Sequence, residues 1–321
     1  MNIRYAVLWF SLGTALLSGC GVEDPGNAVP VTSSVHYRSL MVNGVNIFFR
    51  EAGDPKLPTL VMLHGFPASS YQYRDLIEVL SDRFHVIAPD YPGFGQSGAP
   101  AASAFAYTFD ALADGVDGLL SQLGVARFAL YVHDYGAPVG ERLMLRHPDA
   151  ITALIVQNGI AYTDGLTDAL KPLMAYWQDR AANEQAVRNY LAPETTRFIF
   201  LNGAQVPEAI SPDNWTLAQT ALDRPGNDLI QLDLFYDYRT NLAVFQNIQA
   251  YFRQHSPRTL IVWGKGDPFF TEDAARAYLR DLPAAELHIL DTGHFALEER
   301  HAEIATLIRA FADRTPGLAA R

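Results

Sequence analysis

The chain has 321 residues, room for one large domain or two ordinary ones, and no repeat period that would build a solenoid or propeller. With 49% hydrophobic and 18% charged residues it is not a disordered chain, and a net charge of −11 argues against a nucleic-acid partner, which needs a basic face. Its single cysteine, Cys20, rules out an intrachain disulfide and a cysteine-held metal cluster.

The N-terminus carries one cation, Arg4, followed by an apolar run from Tyr5 to Leu17. That run is too short to span a bilayer but suits the core of a signal peptide. It ends in Leu17-Ser18-Gly19-Cys20. One reading is an ordinary secretory signal with a chance cysteine. The other is a lipid-attachment site: the tetrapeptide resembles the lipobox of bacterial lipoproteins, which implies a leader over 1–19 and lipid on Cys20. Gly21, rather than aspartate, implies an outer-membrane destination where the cell has one. Residues 20–34 are polar and rich in Gly and Pro, as expected of a tether. The expected location is the cell envelope, with membrane contact through the lipid.

Beyond residue 34, short apolar runs alternate with helical patterns. Strands are predicted at Val45–Glu51, Thr59–Leu63, His85–Ala88, Phe128–Val132, Ala153–Gln157, Thr259–Val262 and Glu286–Leu290. Amphipathic helices are predicted at Phe109–Leu123 and Ala137–Arg146. This alternation gives an α/β fold with a mostly parallel, doubly wound sheet. Over 158–254 the alternation stops, and helix formers and aromatics are broken by Pro172, Pro193, Pro207, Pro212 and Pro225. That stretch reads as a helical cap inserted into a core formed by 35–157 and 255–313, which a helix at Ala296–Ala312 closes.

Four segments that follow predicted strands carry chemistry, and ligands of such sheets bind beyond the strands' carboxyl ends. In Leu63-His64-Gly65-Phe66-Pro67 the glycine permits a tight turn that leaves the Phe66 N–H free to face an anion. Asp90-Tyr91-Pro92-Gly93-Phe94-Gly95-Gln96-Ser97 runs into Gly98, which completes a dinucleotide-type glycine pattern. Ala99-Pro100 follows instead of a helix, and no acidic residue ends a second strand, so no nucleotide cofactor is assigned. Third, an apolar strand runs into His133-Asp134-Tyr135-Gly136-Ala137, like the sharp elbow that exposes a nucleophile, with Asp134 in the exposed place. Asp134 alone could equally cap the next helix. The fourth signal is a pair of strand-end turns, Trp263-Gly264-Lys265-Gly266-Asp267 and Asp291-Thr292-Gly293-His294. A histidine held by a carboxylate is a general base of fixed tautomer.

Residues 35–313 resemble the α/β-hydrolase fold: HGFP, DYPGFGQS, VHDYGAP, WGKGD and DTGH match it in order and spacing. Aspartate at the elbow resembles the epoxide-hydrolase and haloalkane-dehalogenase branch. The resemblance implies Asp134 as nucleophile, His294 as the base that activates water, Asp267 as its orienting acid, and the Phe66 and Tyr135 N–H groups as oxyanion donors. Val132 departs from the glycine usual in the serine enzymes.

The leaving group separates the sub-classes. Dehalogenases of this branch hold halide with side-chain N–H donors, and Phe66 and Tyr135 have none. In the cap, Tyr238-Arg239 resembles the Tyr-Arg of epoxide hydrolases, whose tyrosine protonates the alkoxide, and equally that of haloacetate dehalogenases, whose tyrosine binds fluoride. Tyr176-Trp177 is a second candidate donor pair, or simply cap core. No arginine lies between Ala102 and Gly124 to hold a haloacid. The expected activity is epoxide hydrolysis on a small apolar substrate. The alternatives are haloalkane or haloacetate dehalogenation, and a non-enzymatic ligand-binding lipoprotein. His64 is expected to brace the oxyanion turn and His133 to orient the elbow. The other histidines lack metal-ligand spacing, so neither metal nor cofactor is expected.

Overall fold

Every predicted strand forms, and one unpredicted strand joins them. The computed structural model describes residues 34–318; the expected leader over 1–19, Cys20 and all but the last residue of the expected tether lie outside the described residues. In chain order the strands are β1 His36–Val42, β2 Val45–Ala52, β3 Thr59–Leu63, β4 His85–Pro89, β5 Phe128–His133, β6 Ile151–Gln157, β7 Thr259–Gly264 and β8 Glu286–Leu290. They form one sheet in the order β1-β2-β4-β3-β5-β6-β7-β8, antiparallel at β1–β2 and β2–β4 and parallel elsewhere. The unpredicted β1 is an edge strand, mostly exposed, so its residues lack an apolar run. It is tied to β2 by Asn43-Gly44, both at positive φ, the geometry of a tight hairpin turn.

The central strands are buried on both faces, and alternate residues feed two apolar layers. Val61, Leu130, Val132, Val156 and Ile261 enter one layer; Leu60, Met62, Ala129, Tyr131, Ile155 and Leu260 enter the other. Helices α1 (Arg74–Leu80), α2 (Phe109–Gln122) and α3 (Gly136–Arg146) follow β3, β4 and β5. Thr108 caps α2 by accepting from the Ala111 N–H. Between β6 and β7 lie α4 (Lys171–Gln178), α5 (Arg180–Arg188), α6 (Pro193–Leu201), α7 (Asp213–Leu222), α8 (Asn227–Asp237) and α9 (Arg239–His255). The prolines expected to break this stretch include two that stand in the first turns of α4 and α6, where a missing N–H costs nothing. Helix α10 (Glu272–Ala277) follows β7, and α11 (Leu297–Asp313) packs with α1 on the second layer.

Candidate active site

The β5–α3 turn places Asp134 at φ +49°, the left-handed region, where only a tightly held turn keeps a non-glycine residue. Gly136 is required behind it, because a Cβ there would stand 2.0 Å from the Leu63 carbonyl oxygen. Val132, the departure from the glycine pattern, is accommodated by Gly140 one turn into α3, whose added Cβ would meet the Val132 Cγ1 at 2.7 Å.

The two carboxylate oxygens of Asp134 lie in different surroundings. Oδ1 accepts from the Phe66 N–H at 2.7 Å. Oδ2 lies 3.9 Å from His294 Nε2, too far for a hydrogen bond. Burial raises the Asp134 pKa above the ordinary value; the His294 charge and the N–H groups of Phe66 and Tyr135 pull the other way.

His294 is buried and fixed at both ends. Its Nδ1 donates to Asp267 Oδ2 at 2.7 Å, which leaves the Nε2 lone pair facing Asp134. Its carbonyl accepts from His133 Nε2 at 3.1 Å and Gln157 Nε2 at 3.3 Å. Burial works against its charged form, yet the carboxylates of Asp267 and Asp134 outweigh this and raise its pKa above 6.5. Asp267 Oδ1 accepts the N–H groups of Phe269 at 2.8 Å and Phe270 at 3.1 Å.

The sequence reading missed Asn158, which follows β6 at φ +41°. It donates to Asp267 Oδ2 at 2.7 Å, accepts the Gly264 N–H at 2.9 Å and donates to the Gly264 carbonyl at 3.2 Å, so it ties β6 to the acid-bearing turn. Its only signal was a polar residue and Gly159 at the end of a buried strand. His64 accepts from the Tyr91 N–H at Nε2 and donates from Nδ1 to the Gly65 carbonyl beside the oxyanion turn. His133 is kept neutral by burial and by the neighbouring His294.

A cavity of about 60 Å³ opens on Asp134 and His294. Phe66, Tyr135, Phe269 and Phe270 wall it from the core, and Leu173, Phe235 and Tyr238 from the cap. Tyr238 stands at the α8–α9 junction, stacked on Trp177 at 6.0 Å and edge-on to Phe109 at 5.4 Å. Burial, together with the charges of Asp134 and Glu141, holds its phenol protonated far above the usual range. The guanidinium of Arg239 turns away, 3.7 Å over the Tyr236 ring. The Tyr176-Trp177 donor pair needs correction. The Tyr176 hydroxyl donates to the Leu232 carbonyl at 3.3 Å and the Trp177 Nε1 to the Phe235 carbonyl at 2.8 Å, and neither residue lines the cavity. Both donors are spent on the backbone of α8, so these residues hold the cap together.

Among the described residues no cluster of His, Cys, Asp or Glu has metal-binding geometry. With a carboxylate, an imidazole whose free nitrogen faces it, and two N–H donors, the arrangement can make and then hydrolyse a carboxylate ester.

Residues 58–301 match the family described as alpha/beta hydrolase fold. An uncharacterised hydrolase of Saccharomyces cerevisiae is 38% identical over 277 residues, 84% of this chain and 95% of that one. A cis-3-alkyl-4-alkyloxetan-2-one decarboxylase of Xanthomonas campestris is 27% identical over 85% of this chain and 94% of its own. Shorter stretches match epoxide hydrolase A of Mycobacterium tuberculosis, 38% identical over 36% of each chain, and a haloalkane dehalogenase of Bradyrhizobium diazoefficiens, 31% identical over 56% and 57%. The solved structure of the epoxide hydrolase CorEH superposes with a TM-score of 0.71 at 20% identity, over 88% of this chain and 99% of that one.

Proposed function

This chain belongs to the α/β-hydrolase family, in the branch that holds epoxide hydrolases and haloalkane dehalogenases, and from that premise we propose that it opens epoxides through a covalent ester on Asp134. The observation that carries the reading is the division of labour within one carboxylate that lines the cavity: Oδ1 rests on the Phe66 N–H while Oδ2 stands 3.9 Å from His294 Nε2.

In this mechanism Oδ2 bonds to a ring carbon and the carbon–oxygen bond of the ring breaks. The electron pair passes to the ring oxygen, which takes the Tyr238 proton. Water then gives a proton to His294 Nε2 and adds to Cγ of Asp134, and the pair moves onto Oδ1, held by the Phe66 and Tyr135 N–H groups. Collapse expels the diol oxygen, which takes the proton back from His294. The new carboxyl group returns its proton to the Tyr238 phenolate, and the cycle closes.

Among the lining residues only His294 carries a side-chain N–H, which leaves a halide without the donors it needs. No arginine lines the cavity to hold a haloacid: Arg142, on α3, is bound to Asp110 and Asn241. A second reading, opening of a β-lactone, is favoured by the near full-length match to the oxetanone decarboxylase.

The test is His294→Gln. The ester needs only Asp134 to form but needs the base to break, and loss of a general base costs about 10²–10⁴-fold. Intact-mass measurement after mixing with styrene oxide should show one adduct on Asp134. Unmodified protein that still turns over the epoxide overturns the assignment, and an adduct only with a dialkyl oxetanone selects the second reading.

We also propose that Cys20 anchors the protein to the cell envelope through lipid, as the Leu-Ser-Gly-Cys run suggests. Labelled palmitate should enter the wild type and not Cys20→Ser; equal labelling of both, or of neither, overturns this.

A further inference from the structure

The residues just before the acid and just before the base are both glycines, Gly266 and Gly293, and the connection between α6 and α7 presses on both. A Cβ on Gly266 would stand 2.7 Å from the Gly203 Cα, and a Cβ on Gly293 would stand 2.1 Å from the Asn202 carbonyl oxygen. Gly203 itself sits at φ +79°, and a Cβ there would meet the Gly266 carbonyl oxygen at 2.1 Å. Such spacing leaves no room for a side chain, which accounts for the glycine that precedes the titratable residue in both WGKGD and DTGH.

The two turns are also bonded to each other. The Lys265 N–H donates to the Leu290 carbonyl at 3.0 Å and the Gly266 N–H to the Thr292 carbonyl at 2.9 Å. On the far side of the base, the Phe295 ring stacks at 4.1 Å on Phe200, in the last turn of α6. Both chain neighbours of His294 therefore rest on one short stretch, through Phe200 and Asn202.

Glu299, in the first turn of α11, closes this arrangement. Its carboxylate accepts the Val206 N–H at 2.7 Å, the Gln205 N–H at 3.2 Å and the Thr292 hydroxyl. It thus ties the backbone of the α6–α7 connection to the residue two before His294, with hydrogen bonds strengthened by the acceptor's charge. Its neighbour Glu298 is engaged elsewhere, by Arg74 and Asn214.

We propose that Glu299 is a positioning residue for His294, which clamps the α6–α7 connection onto Thr292 and so fixes the base against Asp134. The proposal rests on the ester mechanism for its kinetic signature. Attack by Asp134 needs no base, whereas hydrolysis of the ester needs His294 within hydrogen-bond reach of a water. A base that wanders slows the second step and spares the first.

The experiment compares wild type, Glu299→Ala and Thr292→Val in the full chain. Thr292→Val deletes the hydroxyl at nearly constant shape and leaves Glu299 its two N–H donors. It therefore separates the hold on the base turn from support of the α6–α7 connection. Melting curves show whether each variant is folded, and Thr292→Val carries the test if Glu299→Ala does not fold. Rapid-quench intact-mass measurement after mixing with styrene oxide reads formation and decay of the Asp134 ester separately. Decay should slow about tenfold to 10²-fold in Glu299→Ala, the scale of a misplaced catalytic group. In Thr292→Val it should slow about two- to tenfold, the effect of one hydrogen bond. Ester formation should keep its wild-type rate in both. Equal slowing of the two steps in folded protein, or slowing of neither, overturns the positioning role. Wild-type decay in Thr292→Val beside slow decay in Glu299→Ala overturns it too, because Glu299 then serves the connection alone. A second readout needs no substrate: the Nδ1 proton of His294, held by Asp267, should exchange with water about two- to tenfold faster in both variants, read by NMR. If styrene oxide leaves no ester even on His294→Gln, the epoxide reading has failed and the exchange rate alone decides. Faster exchange then supports the clamp, and unchanged exchange overturns it.

Discussion

The two halves of the active site are held by different forces. On the sheet side every reacting group is tied by hydrogen bonds: Asp134 by the Phe66 N–H, His294 by Asp267, and Asp267 by Asn158 and two backbone N–H groups. On the cap side Tyr238 is held by rings, Trp177, Phe109 and Tyr135, and its hydroxyl makes no hydrogen bond among the described residues. Hydrogen bonds set distance and tautomer, which the ester chemistry needs. Ring packing sets shape, which decides what reaches Asp134 and leaves the phenol's proton uncommitted for a substrate oxygen.

That contrast breaks most completely at Asp134. Asn at this position tolerates the left-handed backbone and can still accept from the Phe66 N–H, but it cannot attack carbon. Asp134→Asn should lower turnover by about 10⁴-fold or more, the scale seen when a nucleophile is removed, with little change in melting temperature. Retained turnover would mean that the tightly bonded half only supports the structure.

Tyr238→Phe tests the other half. The ring and its packing stay and the donor goes. Epoxide opening should fall by roughly tenfold to 10³-fold, within the range for acid catalysis or somewhat less. An activated ester, whose leaving group needs no proton, should be much less affected. Steady-state kcat/KM for the two substrates separates the cases: equal losses, or none, make Tyr238 a packing residue.

The sheet half was legible because each of its groups ends a strand, so a local pattern of apolar run, turn and titratable residue marks Asp134, Asp267 and His294. The cap half was not. Whether Tyr176, Trp177 or Tyr238 offers a donor depends on carbonyls of α8 more than fifty residues along the chain from the first two, and these occupy Tyr176 and Trp177. Strand β1 was missed because an exposed edge shows no apolar run, although Asn43-Gly44 is a hairpin signal.

Acid sharpens the difference within the sheet half. Asp134 must be ionised to attack and His294 neutral to activate water, and both are held above their ordinary values. Protonation of either stops turnover, so activity falls toward low pH, about tenfold for each pH unit below the limb. In the ester the Asp134 charge is gone, and with it one of the causes that raise His294. The limb of kcat, where hydrolysis limits, should therefore lie at lower pH than the titration of the His294 imidazole in the free enzyme, read by NMR. A kcat limb at the higher pH contradicts this coupling.

The smallest effect should come from Asn158, which touches no reacting atom but holds the acid's turn. Its three hydrogen bonds to Asp267 and Gly264 are not the sole support: the Phe269 and Phe270 N–H groups still anchor Asp267 Oδ1. Alanine would confuse two causes, because φ +41° strains any residue with a Cβ. Asn158→Gly keeps the backbone comfortable and removes only the side-chain bonds. Each net hydrogen bond contributes about 0.5–1.5 kcal/mol, and the buried Gly264 N–H is left without its partner. Stability should drop by about 1.5–4.5 kcal/mol in urea titration. Turnover should fall about tenfold or less, on epoxide and activated ester alike, because both depend on His294 and neither on the cap. A loss confined to the epoxide would place Asn158 with Tyr238 and erase the division between the two halves. A loss as large as that of Asp134→Asn would mean that Asp267 cannot hold His294 without it.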